Sequence, residues 1–281
     1  MSAENFTVLP AGAVSDGVTC KVAVVTGALG KLGPIWIDTL IEAGACVFAL
    51  DHPNVRISQA FEQLQGQYDQ GRLKFAPADV RERKDLEAAS RQCLDTFGVP
   101  SILVNNAGID QPPGQPEQGC CLEDIPFELN REVFEVNALG LFLVTQVFGG
   151  RMVKARRGSI INIGSLYASV APDARFYDHI ECDPPFLKPP AYGASKAAVV
   201  NLTRYLATLW APCGVRVNAL SPGGVLGGQD AEFKRKFCER VPLGRMAEDA
   251  DLRGPLLFLA SSASSYVTGI ELVVDGGFTA W

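Results

Sequence analysis

The chain alternates between short apolar runs and longer segments with helical periodicity from residue 21 to its C-terminus. The apolar runs are continuous and rich in branched residues, which is typical of strands that are buried on both faces of a sheet. The pattern predicts strands at residues 21–26, 46–50, 73–76, 101–105, 159–163, 215–221 and 271–274. It predicts helices at about residues 31–43, 55–66, 83–97, 128–155, 192–210 and 248–260.

This alternation of strands and helices predicts an α/β fold with about seven parallel strands and helices on both faces. Right-handed crossovers would make the sheet doubly wound. The chain has no internal repeat and no low-complexity linker that would divide it. We therefore expect a loose N-terminal arm at residues 1–19 and a single domain at residues 20–281.

Composition narrows the classes of partner. The 281 residues are 47% hydrophobic and 20% charged, with a formal net charge of −6 and scattered basic residues. An acidic chain without a basic patch is not expected to bind nucleic acid or an anionic membrane surface. No uninterrupted apolar run approaches the roughly 18 residues of a membrane span.

The cysteines and histidines bear on location and metal binding. The eight cysteines are widely spread, without a Cys-x-x-Cys spacing, and we interpret them as reduced thiols of a cytoplasmic protein. With only two histidines and no known ligand spacing, no metal site is expected. The acidic cluster around His179 leaves metal binding as a minor alternative.

A glycine-rich turn, Thr-Gly-Ala-Leu-Gly-Lys-Leu-Gly at residues 26–33, joins the first predicted strand to the first predicted helix. Glycines let the backbone approach a pyrophosphate, and the helix N-terminus offers free N–H groups to it. Asp51 ends the second predicted strand, where a carboxylate can accept hydrogen bonds from a ribose and repel a 2′-phosphate. This favours NAD over NADP. Lys31 favours the opposite choice, because a base in the turn could meet the 2′-phosphate.

Tyr192 and Lys196 are one helical turn apart in the segment Tyr-Gly-Ala-Ser-Lys. An ammonium group near a phenol stabilises the phenolate, so we expect the pKa of Tyr192 to fall below its usual value of about 10. Such a tyrosine can act as a general acid or base. Taken alone, the pair is more often a feature of a helix surface.

Further motifs occur in a fixed order along the chain: Asp79-Val80, Asn105-Asn106-Ala107-Gly108, Val-Asn-Ala around Asn137, Ser165 after a predicted strand, Pro222-Gly223, and Asp275-Gly276-Gly277. Together with the turn and the Tyr192–Lys196 pair, they resemble the short-chain dehydrogenase/reductase family from about residue 20 to the C-terminus. The resemblance implies a Rossmann-type fold with the catalytic residues Asn137, Ser165, Tyr192 and Lys196. It also implies cofactor contacts at Gly27, Gly30, Lys31, Leu32, Gly33, Asp51, Asp79, Val80, Asn105, Ala107, Gly108, Tyr192, Lys196, Pro222, Gly223 and Val225.

The implied activity is an NAD-dependent interconversion of a secondary alcohol and a ketone. Tyr192 would move the proton, and Lys196 would lower the pKa of Tyr192 and hold the nicotinamide ribose. Ser165 would donate a hydrogen bond to the substrate oxygen, and Asn137 would hold a water. The chain departs from the family pattern at Lys31, which replaces the usual middle glycine of the turn. The resulting glycine spacing resembles an epimerase-like branch, so a nucleotide-sugar epimerase or dehydratase stays as an alternative, as does a non-catalytic dinucleotide sensor.

The segment between Ser165 and Tyr192 is unusually long, and we treat residues of about 166–190 as an inserted loop and those of about 225–245 as a substrate loop. Aromatic and charged side chains in the inserted loop suit a sugar or sugar derivative, with candidate substrate contacts at Tyr167, Arg175, Tyr177 and His179. The alternatives are that the inserted loop makes an oligomer contact or is a surface loop without a function. The apolar residues on several faces of the 128–155 and 192–210 helices indicate a homo-oligomer, a tetramer or a dimer.

Overall fold

The computed structural model describes residues 18–110 and 121–281. Seven parallel strands form one sheet in the order β3-β2-β1-β4-β5-β6-β7. The strands are β1 Val22–Thr26, β2 Cys46–Asp51, β3 Leu73–Pro77, β4 Ile102–Asn105, β5 Gly158–Ile163, β6 Val215–Pro222 and β7 Glu271–Val274. The predicted α/β fold is confirmed, and each predicted strand lies within one residue of the observed bounds at either end.

The longer helices are α1 Gly33–Glu42, α2 Gln59–Gln67, α3 Arg83–Phe97, α4 Phe127–Ala155, α5 Pro190–Trp210, α6 Ala231–Arg240 and α7 Asp249–Ala260. The predicted start of α2, at residue 55, was wrong by four residues, because the Ser58 hydroxyl accepts a hydrogen bond from the N–H of Phe61 and caps the helix there. Helix α6 was missed as an element, since its short, largely charged sequence has only one fully buried residue, Phe237.

Side chains alternate across β1 and divide the hydrophobic core into two layers. Ala23 and Val25 face the layer that is covered by α1, α2 and α7, whereas Val24 faces the layer that is covered by α3, α4 and α5. All three side chains are fully buried. The parallel strands therefore read as continuous apolar runs because both faces of the sheet are covered.

Helix α4 is interrupted by two π-helical stretches, Glu135–Gly140 and Thr145–Gly149. Its length and a mean hydropathy of 1.4 would also suit a membrane span, but its inward side packs Val144, Phe148 and Met152 into the core. Such stretches shift the helix register and are frequent at functional sites. The first one carries Asn137.

The inserted loop packs against α6 through a third apolar cluster, in which Phe176 contacts the rings of Phe233 and Phe237 at centroid distances of 6.0 and 5.6 Å. Ion pairs between Lys236 and Asp178 and between His179 and Asp230 join the same two segments. The loop and α6 therefore form one wall above the carboxyl ends of the strands.

Candidate active site

A cavity of about 1120 Å³ opens at the carboxyl ends of the strands, where the strand order reverses between β1 and β4. Crevices at such reversals are the usual ligand sites of open α/β sheets. The cavity is lined by segments that follow β1 to β6, by the inserted loop and by α6. Most of the residues implied by the resemblance lie in its wall, including the turn after β1, Asp51, Ser165, Tyr192 and Lys196.

The turn after β1 requires glycine at two positions for different reasons. Gly27 has a φ of 64°, and a Cβ there would lie 2.8 Å from the Cα of Ala107. A Cβ on Gly33 would lie 2.4 Å from the carbonyl oxygen of Gly27, so Gly33 allows α1 to pack against the turn. Gly27, Gly30 and Leu32 line the cavity, whereas Gly33 lies behind it. The turn fits a dinucleotide pyrophosphate, because its backbone can be approached closely at the start of α1.

Asp51 is held in a fixed orientation at the end of β2. Its Oδ2 accepts a hydrogen bond of 2.7 Å from the N–H of Leu29, and its Oδ1 accepts one of 2.7 Å from the N–H of His52. Burial raises the pKa of the carboxyl, and these two bonds oppose that effect. Each oxygen keeps a lone pair, so the carboxylate can also accept hydrogen bonds from ribose hydroxyls.

Lys31 does not extend towards Asp51. Its ammonium donates a hydrogen bond of 2.6 Å to the carbonyl oxygen of Val225, 194 residues along the chain. The interpretation of Lys31 as a partner for a 2′-phosphate stays a prediction, and the bond to the substrate loop disfavours it. Burial lowers the pKa of this ammonium, and the charge of Asp249 opposes that effect.

Asp79 and Val80 line the cavity after β3. The carboxylate of Asp79 receives a hydrogen bond of 2.7 Å from Nη2 of Arg81 and lies 3.5 Å from Nε2 of His52. Burial acts to raise the pKa of Asp79, but the bonds from Arg81 outweigh it and leave that pKa below its usual value. The carboxylate is therefore ionised and largely occupied by protein partners.

The Asn105–Gly108 motif has two structural roles. Asn105 is buried and donates 2.9 and 2.8 Å hydrogen bonds to Thr145 and Asn162, so it stabilises the sheet and does not line the cavity. Asn106, which the sequence did not single out as a contact, bonds the carbonyl oxygen of Gly27 at 2.9 Å and lines the cavity. Ala107 and Gly108 line it as well.

Tyr192 and Ser165 both lie in the cavity wall. Burial raises the pKa of Tyr192 to about 12, and the nearby Ser165 side chain opposes that effect. The expected fall of the Tyr192 pKa was wrong, because burial dominates it. The Nζ of Lys196 lies 5.8 Å from the ring centroid and donates a 2.8 Å hydrogen bond to the carbonyl oxygen of Ile163. Burial lowers the pKa of Lys196 to about 8.

Asn137 lies behind the wall and holds two segments together. Its amide nitrogen donates to the carbonyl oxygen of Ile109 at 2.8 Å and to the Ser195 hydroxyl at 3.0 Å, while its amide oxygen accepts from the N–H of Ile109 at 2.7 Å. Both amide hydrogens are thus occupied, so the side chain positions α5 relative to the loop after β4. A water held by Asn137, as predicted, could bond only to the remaining lone pair of this amide oxygen or to the main chain.

The four candidate substrate contacts separate into two pairs. Tyr167 and Tyr177 line the cavity. Arg175 is exposed and paired with Asp173, and His179 bonds Asp230 at 2.9 Å, so both lie outside the lining. Sequence reasoning missed several lining residues on this side: Asp110, Ile180, Phe186, Lys188 and Gln229. Lys188 had a usable signal, because it precedes Tyr192 by the same spacing as Lys196 follows it.

On the cofactor side, Pro222, Gly223 and Val225 follow β6 and line the cavity opposite the turn after β1. A Cβ on Gly223 would lie 2.7 Å from the Cα of Asp275, so this glycine lets β6 and the end of β7 approach each other. The carboxylate of Asp275 in turn accepts a 2.9 Å hydrogen bond from the N–H of Gly277. The C-terminal tail therefore supports this wall.

Comparisons with known proteins agree with this geometry. Residues 36–279 match a family model described as enoyl-(acyl carrier protein) reductase. The chain is 32% identical over 270 residues to an NAD-dependent glycerol dehydrogenase of Listeria innocua, covering 93% of this chain and 95% of that protein. It is 34% identical over 265 residues to a galactitol 2-dehydrogenase of Rhizobium johnstonii, covering 92% and 95%.

Two solved structures are similar over nearly their whole length. A short chain dehydrogenase from Leptospira borgpetersenii with bound NAD⁺ has a TM-score of 0.80 and 32% identity, covering 99% of this chain and 100% of that one. A gluconate 5-dehydrogenase from Burkholderia cenocepacia in complex with NADP and tartrate has a TM-score of 0.80 and 29% identity, covering 95% and 99%. Similarity in sequence and in fold thus each covers more than nine-tenths of the chain.

Proposed function

This chain belongs to the short-chain dehydrogenase/reductase family, and on that premise we propose that it is an NAD-dependent dehydrogenase that interconverts a secondary alcohol and a ketone on a polyol or sugar derivative. The placement of Ser165, Tyr192 and Lys196 together in the wall of one cavity is the observation that carries the proposal. The relatives named for glycerol and galactitol support the class of substrate.

The lining of the cavity supports the binding of a dinucleotide. The turn after β1 suits the pyrophosphate, and Asp51 suits the adenosine ribose. When bound, the nicotinamide supplies the hydride acceptor or donor. NAD is favoured over NADP because Asp51 offers a carboxylate to the ribose and Lys31 is bonded to Val225 instead.

The chain's own residues manage the proton. In oxidation Tyr192 takes the hydroxyl proton of the substrate, and in reduction it returns that proton to the substrate oxygen. The Ser165 hydroxyl donates to the same oxygen and stabilises charge that develops on it. Because burial raises the pKa of Tyr192 to about 12, the phenol carries its proton at neutral pH and is prepared for the reductive direction. The ammonium of Lys196 favours the loss of the Tyr192 proton in the oxidative direction.

The residues of the inserted loop that line the cavity support a polyhydroxylated ligand. Tyr167 and Tyr177 supply aromatic surface with hydroxyl groups, and Phe186 adds an apolar ring. The inserted loop contributes to the cavity and also packs on α6, which supports its role in substrate recognition. The glycine spacing alone pointed to an epimerase, and nothing in the cavity adds support to that alternative.

Location and assembly complete the proposal. The cysteines in the described part of the chain are all free, which supports a reducing, cytoplasmic location. Leu139 on α4 and Leu209 on α5 are exposed by 63% and 53%, which supports a homo-oligomer that covers these two helices.

A screen of NAD⁺ with neutral polyols and sugars, followed by absorbance of the reduced cofactor, tests this function. We expect NADH to accumulate in proportion to the polyol that is oxidised. An epimerase would regenerate its bound cofactor and accumulate none, and a sensor would bind NADH without turning over any member of the panel. Either result would contradict the proposal.

A further inference from the structure

Lys188 and Asp110 form an ion pair in the substrate part of the cavity. The ammonium of Lys188 donates to the carboxylate of Asp110, and its Nζ lies 5.7 Å from the ring centroid of Tyr192. The Lys188 side chain is 17% exposed and that of Asp110 is 51% exposed. Both residues line the cavity, so a substrate whose oxygen reaches Tyr192 passes close to this pair.

The pair comes from two separate parts of the chain. Asp110 follows β4 and the Asn105–Gly108 motif, and the N–H and carbonyl groups of its neighbour Ile109 are fixed by Asn137. Lys188 ends the inserted loop just before α5. The ion pair therefore bridges the base of the inserted loop and the loop after β4, at a position that the rest of the fold supports.

The other basic side chains that line the cavity in the described residues have partners of their own. Lys31 donates to the carbonyl oxygen of Val225, Arg81 to the carboxylate of Asp79, and Lys196 to the carbonyl oxygen of Ile163. His52 also lies next to Asp79, on the cofactor side. The segment 111–120 contains no Lys, Arg or His. Lys188 is thus the basic residue that the inserted loop brings beside Tyr192, and Asp110 compensates its charge.

This charge balance discriminates between two classes of substrate. A sugar acid would bring its carboxylate next to Asp110. That carboxylate would lose its solvation, and it would find no unpaired cation in return, because Lys188 is already paired with Asp110. A neutral polyol has hydroxyl groups that both donate and accept hydrogen bonds. One hydroxyl can accept from Lys188 while it or its neighbour donates to Asp110, and the ion pair stays intact.

We propose that Asp110 and Lys188 are a specificity pair that selects neutral polyols over sugar acids of the same carbon skeleton. This inference rests on the proposed function, because it concerns the substrate of the same site. In this proposal Asp110 repels the carboxylate of a sugar acid, and Lys188 donates a hydrogen bond to a substrate hydroxyl.

The test compares galactitol with D-galactonate and D-glucitol with D-gluconate, which differ by one carboxylate. We expect the wild-type protein to have the higher kcat/KM for the neutral member of each pair. D110N leaves Lys188 uncompensated and should lower the ratio of kcat/KM for polyol over sugar acid by at least about tenfold, the effect of roughly one unit-charge contact in a partly solvated site. Adding K188M to D110N should remove that gain for the sugar acids.

D178N is the matched control. Asp178 also pairs with a lysine, Lys236, and it lies on the same inserted loop, but neither residue lines the cavity. We expect the ratio to stay within about twofold of wild type in D178N. NADH binding should be the same in all four proteins, which shows that the variants fold.

An unchanged ratio in D110N, or a wild-type preference for the sugar acids, would overturn the inference. Calorimetric binding of the same four ligands to the NADH-loaded proteins gives the comparison without turnover. If no ligand is oxidised but the polyols still bind better and D110N reverses that order, the proposed function fails while the specificity pair stands.

Discussion

The ammonium of Lys31 lies 2.6 Å from the carbonyl oxygen of Val225, so the glycine-rich turn and the substrate loop are bonded directly across the cofactor cavity. Gln229 donates to the same oxygen at 3.0 Å. The next turn of chain is fixed as well, since the N–H of Leu226 donates to the carbonyl oxygen of Ala247 at 2.8 Å. Lys31 is therefore a positioning residue that holds one wall of the cavity against the other.

Loss of this bond should weaken cofactor binding without changing cofactor choice. We expect K31M to raise the KM for NAD about 3- to 10-fold, the effect of losing one hydrogen bond of ordinary net strength. The ratio of kcat/KM for NAD over NADP should stay within about twofold of wild type. K84M, which removes an exposed lysine on α3, serves as the control. A shift of the ratio towards NAD in K31M would show that Lys31 meets the 2′-phosphate after all.

Asp51 should decide between the two cofactors. We expect D51N to lower the NAD over NADP ratio of kcat/KM by at least about tenfold, because it removes the charge that repels a 2′-phosphate while it keeps an acceptor for a backbone N–H. Steady-state kinetics with both cofactors measures the ratio. The control is D69N, which removes a carboxylate that also accepts from a backbone N–H, that of Gly71, but does so outside the cavity. An unchanged ratio in D51N would contradict the role of Asp51.

Asp110 should also move the pH dependence of turnover. Burial is the main cause that raises the pKa of Tyr192 to about 12, and the negative charge of Asp110 raises it further. Oxidation needs the phenolate, so its rate increases with pH. Removing the charge in D110N lowers the pKa of Tyr192 and should shift the rising limb of log kcat for oxidation to lower pH. A profile that coincides with those of wild type and D178N would show that Asp110 does not act on Tyr192.

The exposed apolar residues of α4 and α5 allow a direct test of assembly. We expect the wild-type protein to elute as a dimer or tetramer in size-exclusion chromatography with light scattering. L139R and L209R should each reduce the assembly, because they place a charge in an apolar contact. Y266R, at a fully exposed residue before β7, should leave it unchanged. A monomeric wild-type protein would exclude the proposed assembly.

The strands and most of the cofactor wall could be predicted because they depend on local patterns. Buried parallel strands need continuous apolar runs, and a close approach of the backbone needs glycine, as at Gly27 and Gly33. Motifs such as Asp51 and Tyr192 lie at fixed positions relative to those elements, so the order of motifs along the chain was enough to place them in one cavity.

The parts that could not be predicted depend on contacts between distant segments. The partner of Lys31 lies 194 residues away, and that of Lys188 lies 78 residues away. The pKa of Tyr192 depends on burial, which spacing alone does not give, and burial raises this pKa where the spacing predicted a fall. Within the inserted loop, Arg175 and Tyr177 looked equally suitable for substrate, and only the packing of the loop on α6 separates them.

Tyr192 as the residue that moves the proton is the central claim, and Y192F tests it most directly. With the best polyol from the screen, we expect kcat for NAD⁺-linked oxidation to fall at least about 100-fold, because a positioned general base is lost. NADH affinity, followed by fluorescence, should stay within about threefold of wild type. Y205F, at an exposed tyrosine on the same helix, should keep full activity. Turnover by Y192F at a rate close to wild type would contradict the account.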